Sequence, residues 1–381
     1  MHVPTWFWAT AAFLLGINIG SFLNVVVWRL PRGESLAQPP SHCTACGARL
    51  TAIDLVPLLS FLALGRKCRR CKAPISWRYF GIELLTGLLF AGIYLRFRDE
   101  PANAVALIAF TATLIPIYFI DLATFTIPDS LNLLAVVVAV LRDIWGITKG
   151  EPAHLLLWGW LPRSLLGAEV GVGAFGLVRV LGWLWKRQEA MGLGDVLLAR
   201  AMGAMLISLA PAGDSPLRLF PAWGMLSCFA GLLVGPVLIL ERSAGGVIRI
   251  PAYLRRLAGK RRPENAVPAQ SERGHSDAGP PPQEDSATED AVSSTLARNL
   301  WEIVFCLAWM DVIYFLAPKT GERLWRGPVP PADVEDAPGE APAPTAVPFG
   351  PFLVVGFLAA AVAGNWLTAL YLNWAFPPKE Q

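Results

Sequence analysis

Residues 104–121 read AVALIAFTATLIPIYFID: seventeen residues without a charge, closed by Asp121. An α-helix needs about 20 apolar residues, within a range of about 17–25, to cross a bilayer core. This stretch is therefore read as a membrane span with a carboxylate at its end. Similar runs cover residues 6–28, 79–95, 131–147, 164–185, 196–210, 219–240 and 352–374. The fold expected is all-α: a polytopic membrane helix bundle of about eight spans. Composition agrees. Of 381 residues, 54% are hydrophobic and 16% charged, where a soluble domain carries about 25% charged residues. The mean hydropathy is +0.47. Trp6, Trp8, Trp28, Trp77 and Trp160 stand near the ends of the runs, where interfacial aromatics sit. A soluble globular protein is excluded, no nucleic-acid partner is expected, and the bilayer is the first partner.

Charge gives the orientation. Met1 to Pro4 lack a basic region, so no cleavable signal peptide is expected. The loop 29–78 holds nine Lys or Arg against Glu34 and Asp54, which marks it as cytoplasmic and the N-terminus as external. Alternation then puts Asp121, the loop 186–195 and the basic stretch 242–262 inside. Residues 263–297 and 327–347 are rich in proline and small polar residues, a composition expected to be disordered. Between them, 300–317 is apolar but holds Glu302 and Asp311, and is expected to lie at the interface. The parts are thus a first span (1–28), a Cys-rich loop (29–78), a transmembrane core (79–241), a basic and Pro-rich insertion (242–347) and a last span (348–381). No internal repeat is evident.

Two CxxC pairs, Cys43/Cys46 and Cys68/Cys71, are separated by 21 residues. Each can present two thiolates to one tetrahedral ion, giving a small zinc-ribbon-like loop. Disulfides are rare on the cytoplasmic side, and Arg66, Lys67, Arg69, Arg70 and Lys72 favour thiolates. Four sulfurs leave no open position, so zinc would be structural. Unliganded thiols or two redox pairs are the competing reading. His42 is read as a solvated loop residue, and Cys228 and Cys306 as small buried hydrophobes.

Asp121 and Asp195 fall on the same expected side at the same depth. Carboxylates at the edge of apolar spans are expensive and need a reason. Two of them brought close cannot both ionise easily, so one keeps a proton while the other can activate water. That is the chemistry of aspartic peptide hydrolysis. Gly192 and Gly194 leave the backbone beside Asp195 bare and permissive for an extended peptide. The competing role is helix capping, which suits Asp195 better than Asp121. Asp129, in Ile127-Pro128-Asp129-Ser130, reads as an ordinary N-cap.

With these stretches assembled, the sequence resembles the prepilin (type IV leader) peptidases, a GxGD family of aspartic membrane peptidases. The likeness lies in Gly20-Ser21-Phe22-Leu23-Asn24-Val25 with Arg29-Leu30-Pro31, and in the cysteine quartet. It continues in Ile75-Ser76-Trp77-Arg78-Tyr79, Glu83-Leu84-Leu85-Thr86-Gly87, Asp121 through Asp129, Gly192-Leu193-Gly194-Asp195 and Phe349-Gly350-Pro351-Phe352-Leu353. The resemblance implies cleavage of the basic leader of type IV prepilins and pseudopilins at the cytoplasmic face of the inner membrane. Asp121 and Asp195 would form the dyad, and Cys43, Cys46, Cys68 and Cys71 the metal site. It also implies N-methylation with S-adenosylmethionine by the N-terminal cytoplasmic region, although no glycine-rich nucleotide loop is present. The chain departs from the family at Ala190, Leu197, where a lysine is common, and Ala123. Two other functions fit parts of the pattern: another GxGD intramembrane peptidase, or a non-enzymatic assembly or transport protein with a zinc-binding loop. A transport path would need ionisable groups through several spans, whereas here the carboxylates gather at one face.

Overall fold

The computed structural model describes residues 4–151, 162–186, 191–210, 219–243 and 348–375. Their regular elements are helical, with no strand among the described residues. The helices are α1 (Thr5–Arg29), the short α2 (Leu59–Ala63), α3 (Trp77–Arg96), α4 (Pro101–Thr124), α5 (Asp129–Thr148), α6 (Arg163–Lys186), α7 (Leu193–Leu209), α8 (Leu219–Ser243) and α9 (Gly350–Ala375). Each of the eight apolar runs is a helix. Among the described residues, five of these are long and apolar enough to cross a membrane: α1, α3, α4, α5 and α6. Residues 263–347, with the interfacial helix expected at 300–317 and with Cys306, lie outside the described residues.

Without a hydrophobic drive between helices in lipid, close packing needs small residues at the crossings. The chain supplies them. A Cβ on Gly16 would stand 2.7 Å from Gly87 Cα, and one on Gly20 would stand 2.8 Å from Glu83 Cα, so α1 and α3 touch backbone to backbone. On the other side of the bundle, a Cβ on Gly167 or on Gly203 would overlap the other's carbonyl oxygen. The α6–α7 crossing therefore admits no side chain there, and filling such a contact costs about 1–3 kcal/mol or more.

α7 is the axle of the bundle. Every residue from Val196 to Leu209 is buried, against α5, α6, α8 and α9. Leu198, Met202 and Met205 join Phe110, Leu114, Trp223 and Phe357 in one apolar core. At the end of α7 remote from Asp195, a polar clasp closes the bundle. Asp143 Oδ2 accepts from Ser164 N (2.7 Å) and Oγ (3.0 Å), and Asp143 Oδ1 accepts from Ser208 Oγ (3.1 Å). Arg142 reaches Asn103 and Glu151 beside it.

Cys228 departs from expectation. It is exposed, because α8 turns Trp223 and Ser227 inward and leaves its neighbour on the outer face. In a bilayer an apolar side chain loses nothing by facing out.

Candidate active site and metal centre

Asp121 lies in the last turn of α4, not beyond it, and is 4% exposed. Phe125 caps that helix in the left-handed conformation, its N–H returning to Asp121 O at 2.9 Å. The chain then runs extended to Pro128, which occupies the N-cap of α5. Asp129 is accordingly the first helical residue rather than the cap, since Pro128 already takes the extended conformation that a cap requires. Its charge faces Arg200 of α7, as does Glu169 of α6.

Asp195 sits in the first turn of α7, with Gly192 as the N-cap. The Gly192 N–H faces its carboxylate. The backbone is held before and after it. Arg179 Nη1 donates to Met191 O at 3.3 Å. One turn on, the Asn132 amide, oriented to satisfy both ends, donates to Leu197 O (3.1 Å) and accepts from Leu198 N (3.3 Å). Neither Gly192 nor Gly194 takes a positive φ, so no unusual backbone conformation calls for glycine here. What they leave is room: a Cβ on Gly194 would only just meet Ile127, at 3.4 Å. Leu197 packs with Val172, Met191 and Phe349, an apolar pocket that suits it.

The residue that joins the two carboxylates is Gly350, the first of α9. Its backbone N–H faces both Asp121 and Asp195. The place its Cβ would take lies 3.3 Å from Asp195 Oδ1, and closer still to Asp121 Oδ2. Both carboxylates therefore crowd against the same bare face of Gly350, which has no room for a side chain. Among the described residues no donor makes a well-formed hydrogen bond to Asp121 Oδ2, a buried oxygen left for a water or a peptide to meet. α9 thus aims its N-terminal, electropositive end at the acidic pair. Sequence reading names Phe349-Gly350-Pro351 only as a signature. A glycine before a helix-starting proline is the local trace of its role, but the contact itself is tertiary.

The cysteine loop forms two matching knuckles. An antiparallel bridge between His42 and Arg49 brackets the first pair, and one between Lys67 and Pro74 brackets the second. Cys43 N donates to Ala48 O and Cys68 N to Ala73 O, each at 2.9 Å. The residue after each second cysteine, Gly47 or Lys72, takes a positive φ. His42 is exposed, as expected of a solvated residue. The four sulfurs lie within 4.8 Å of one another, with Cys43 Sγ and Cys71 Sγ 3.8 Å apart. Zn–S bonds of about 2.3 Å separate the sulfurs of a tetrahedron by about 3.8 Å, so the quartet fits a metal ion. The N–H groups of Cys71 and Arg70 pull the Cys68 thiol down to about 6, which makes it a thiolate at neutral pH. Ala73 N–H also pulls on Cys71, but burial and the neighbouring sulfurs outweigh it and push that thiol up to about 11. A cation would release that proton. The knuckle is moored through Arg69 Nε, which donates to Asp54 Oδ1 at 2.8 Å. Thr51 and then Arg69 hold the Asp54 carboxyl down from 3.8 to about 2. The mooring is therefore complete above about pH 4 and is lost only as the pH falls toward about 2.

Sequence comparisons place the chain among known proteins. The Bacterial Peptidase A24 N-terminal domain matches residues 14–97, and the Type IV leader peptidase family matches residues 108–236. A prepilin leader peptidase/N-methyltransferase of Myxococcus xanthus (strain DK1622) is 30% identical over 374 residues, covering 94% of this chain and 91% of that protein. One of Aeromonas hydrophila is 32% identical, over 64% of this chain and 85% of its own. A type 4 prepilin-like proteins leader peptide-processing enzyme of Escherichia coli O78:H11 is 36% identical, over 50% and 73%. No solved structure matches the chain. A likeness running through nearly the whole length of one relative, over a bundle that sets two acids against one helix start, assigns this chain to the type IV leader peptidase family.

Proposed function

We propose that this chain is a prepilin peptidase of the bacterial inner membrane that cuts type IV prepilins or pseudopilins at the cytoplasmic face, with Asp121 and Asp195 as its catalytic dyad. The observation that carries the reading is the convergence of both carboxylates on Gly350. The pair shares one proton. The ionised carboxylate takes a proton from the water between them as its oxygen attacks the scissile carbonyl carbon. The protonated one donates to the carbonyl oxygen. Collapse of the tetrahedral species breaks the C–N bond, and a carboxyl proton passes to the departing amine. Gly350 N–H and the start of α9 hold the negative charge in place throughout. A prepilin co-expressed with the full-length chain loses the mass of its leader; a prepilin that keeps its full mass overturns the reading.

Cys43, Cys46, Cys68 and Cys71 would hold one zinc ion, which when bound cross-links the two knuckles. Four thiolates leave it no open position, so its part is structural. Cys43→Ser lowers the metal content of the purified protein from about one zinc per chain to well below it; unchanged zinc by elemental analysis rejects the site. The relatives are named as N-methyltransferases too, and we assign that second activity, with S-adenosylmethionine as methyl donor, to the 29–78 loop and its surroundings. In this orientation the N-terminus lies outside, and the knuckles and the dyad share the cytoplasmic side.

A further inference from the structure

The segment between the two knuckles, residues 52–64, is unusually apolar for a loop outside a membrane: Ala-Ile-Asp-Leu-Val-Pro-Leu-Leu-Ser-Phe-Leu-Ala-Leu. It is also unusually bare. Ile53 is 70% exposed, Leu59 66% and Leu62 59%, and Leu55 and Val56 are exposed beside them. Scattered apolar side chains on a surface need no explanation, but a contiguous patch does.

Its position supplies the explanation. Phe61 is buried from the opposite side of the same short helix, its ring 5.3 Å from those of Trp77 and Phe80 in the first turn of α3. Leu58 N donates to Glu83 Oε2 at 2.8 Å. Glu83 lies inside the α1–α3 crossing, where Gly20 meets its Cα. α3 has twenty residues, about 30 Å at 1.5 Å per residue, which is the thickness of a bilayer core. It has none to spare, so Trp77 stands at the boundary. Glu83, six residues further on, lies about 9 Å inside it when the helix is upright. The Leu58 backbone is tied to that depth. The apolar patch therefore flanks the first turns of a membrane span, on the outside of the bundle. Arg66, whose guanidinium lies 4.9 Å above the Trp77 ring, Lys67, Arg69, Arg70 and Lys72 follow at once, at the level of anionic headgroups.

We infer that residues 52–64 dip into the cytoplasmic leaflet, with Leu59 and Leu62 among the acyl chains, and seat the cysteine knuckles on the membrane surface. The occupant of the patch is lipid. The apolar stem of a substrate is the rival, and it differs in being needed only when substrate is present.

The experiment puts a photoreactive benzoylphenylalanine at Leu59, at Leu62 or at the exposed Ala45 of the first knuckle. The full-length protein is placed in phosphatidylethanolamine–phosphatidylglycerol vesicles without substrate. Illumination and peptide mass spectrometry then read the adducts. Positions 59 and 62 gain phospholipid adducts at roughly tenfold the yield at 45, as expected for side chains below the headgroups. Equal yields at all three, or none at 59 and 62, overturn the inference. So does loss of the lipid adduct in favour of a peptide adduct once a prepilin is added, which would assign the patch to substrate. None of these readouts requires catalysis, so an inactive peptidase would leave this result standing, and a failed result here would leave the peptidase reading standing.

Discussion

Leader cleavage falls by about 10⁴-fold or more in Asp121→Asn and equally in Asp195→Asn, and the double variant is no worse than either, because groups that act as one unit lose their effect together. An amide is close to isosteric with a carboxyl but cannot share the proton on which both halves of the reaction draw. The assay is the ratio of processed to full-length prepilin in membranes carrying each variant, with the amount of membrane-integrated enzyme and its zinc content as controls. Each variant is expected to retain the bundle, since the amide keeps nearly the size and shape of the carboxyl it replaces. Full processing by either single variant removes the dyad from the mechanism. Losses in the single variants that add up in the double variant would show two independent contributions rather than one shared proton.

Gly350→Ala is the second. It adds one methyl group and no charge. That methyl would overlap Asp121 Oδ2 and crowd Asp195 Oδ1, so the carboxylates must part or α9 must back away. A displacement of about 1 Å at a reacting group costs on the order of 10²-fold, and cleavage is expected to drop by that much or more. Binding of prepilin to detergent-solubilised enzyme should change little, so the loss appears in turnover. Wild-type turnover in Gly350→Ala would mean that α9 does not close the site.

Hydropathy alone makes the eight helices legible, because a bilayer demands long apolar runs and leaves few alternatives. Their limits are less legible. The run 104–120 ends before Asp121, yet α4 continues to Thr124, since a helix does not stop where its hydropathy stops. The cysteine spacing foreshadows the quartet because its contacts are short in sequence. α2 is not foreshadowed: its leucines read as part of a polar, basic loop, and only tertiary contacts, Phe61 on Trp77 and Phe80 and Leu58 N on Glu83, show that the loop folds against a span. Gly350 is hidden for another reason. The pairing of α9 with the ends of α4 and α7 joins residues more than 150 positions apart, and composition is blind to which helices meet.

α7 has seventeen residues, about 25 Å of helix, shorter than the hydrocarbon it must match. A short helix bathed in lipid would drag or tilt as the surrounding sheet of lipid thickened or thinned. This one is jacketed by other helices along the whole of Val196 to Leu209, so acyl chains do not bear on it. Swelling or thinning of the host bilayer is taken up by the outer helices. The height of one acid relative to the other is then an internal dimension of the protein, as constant in a stiff, long-chained membrane as in a fluid, short-chained one.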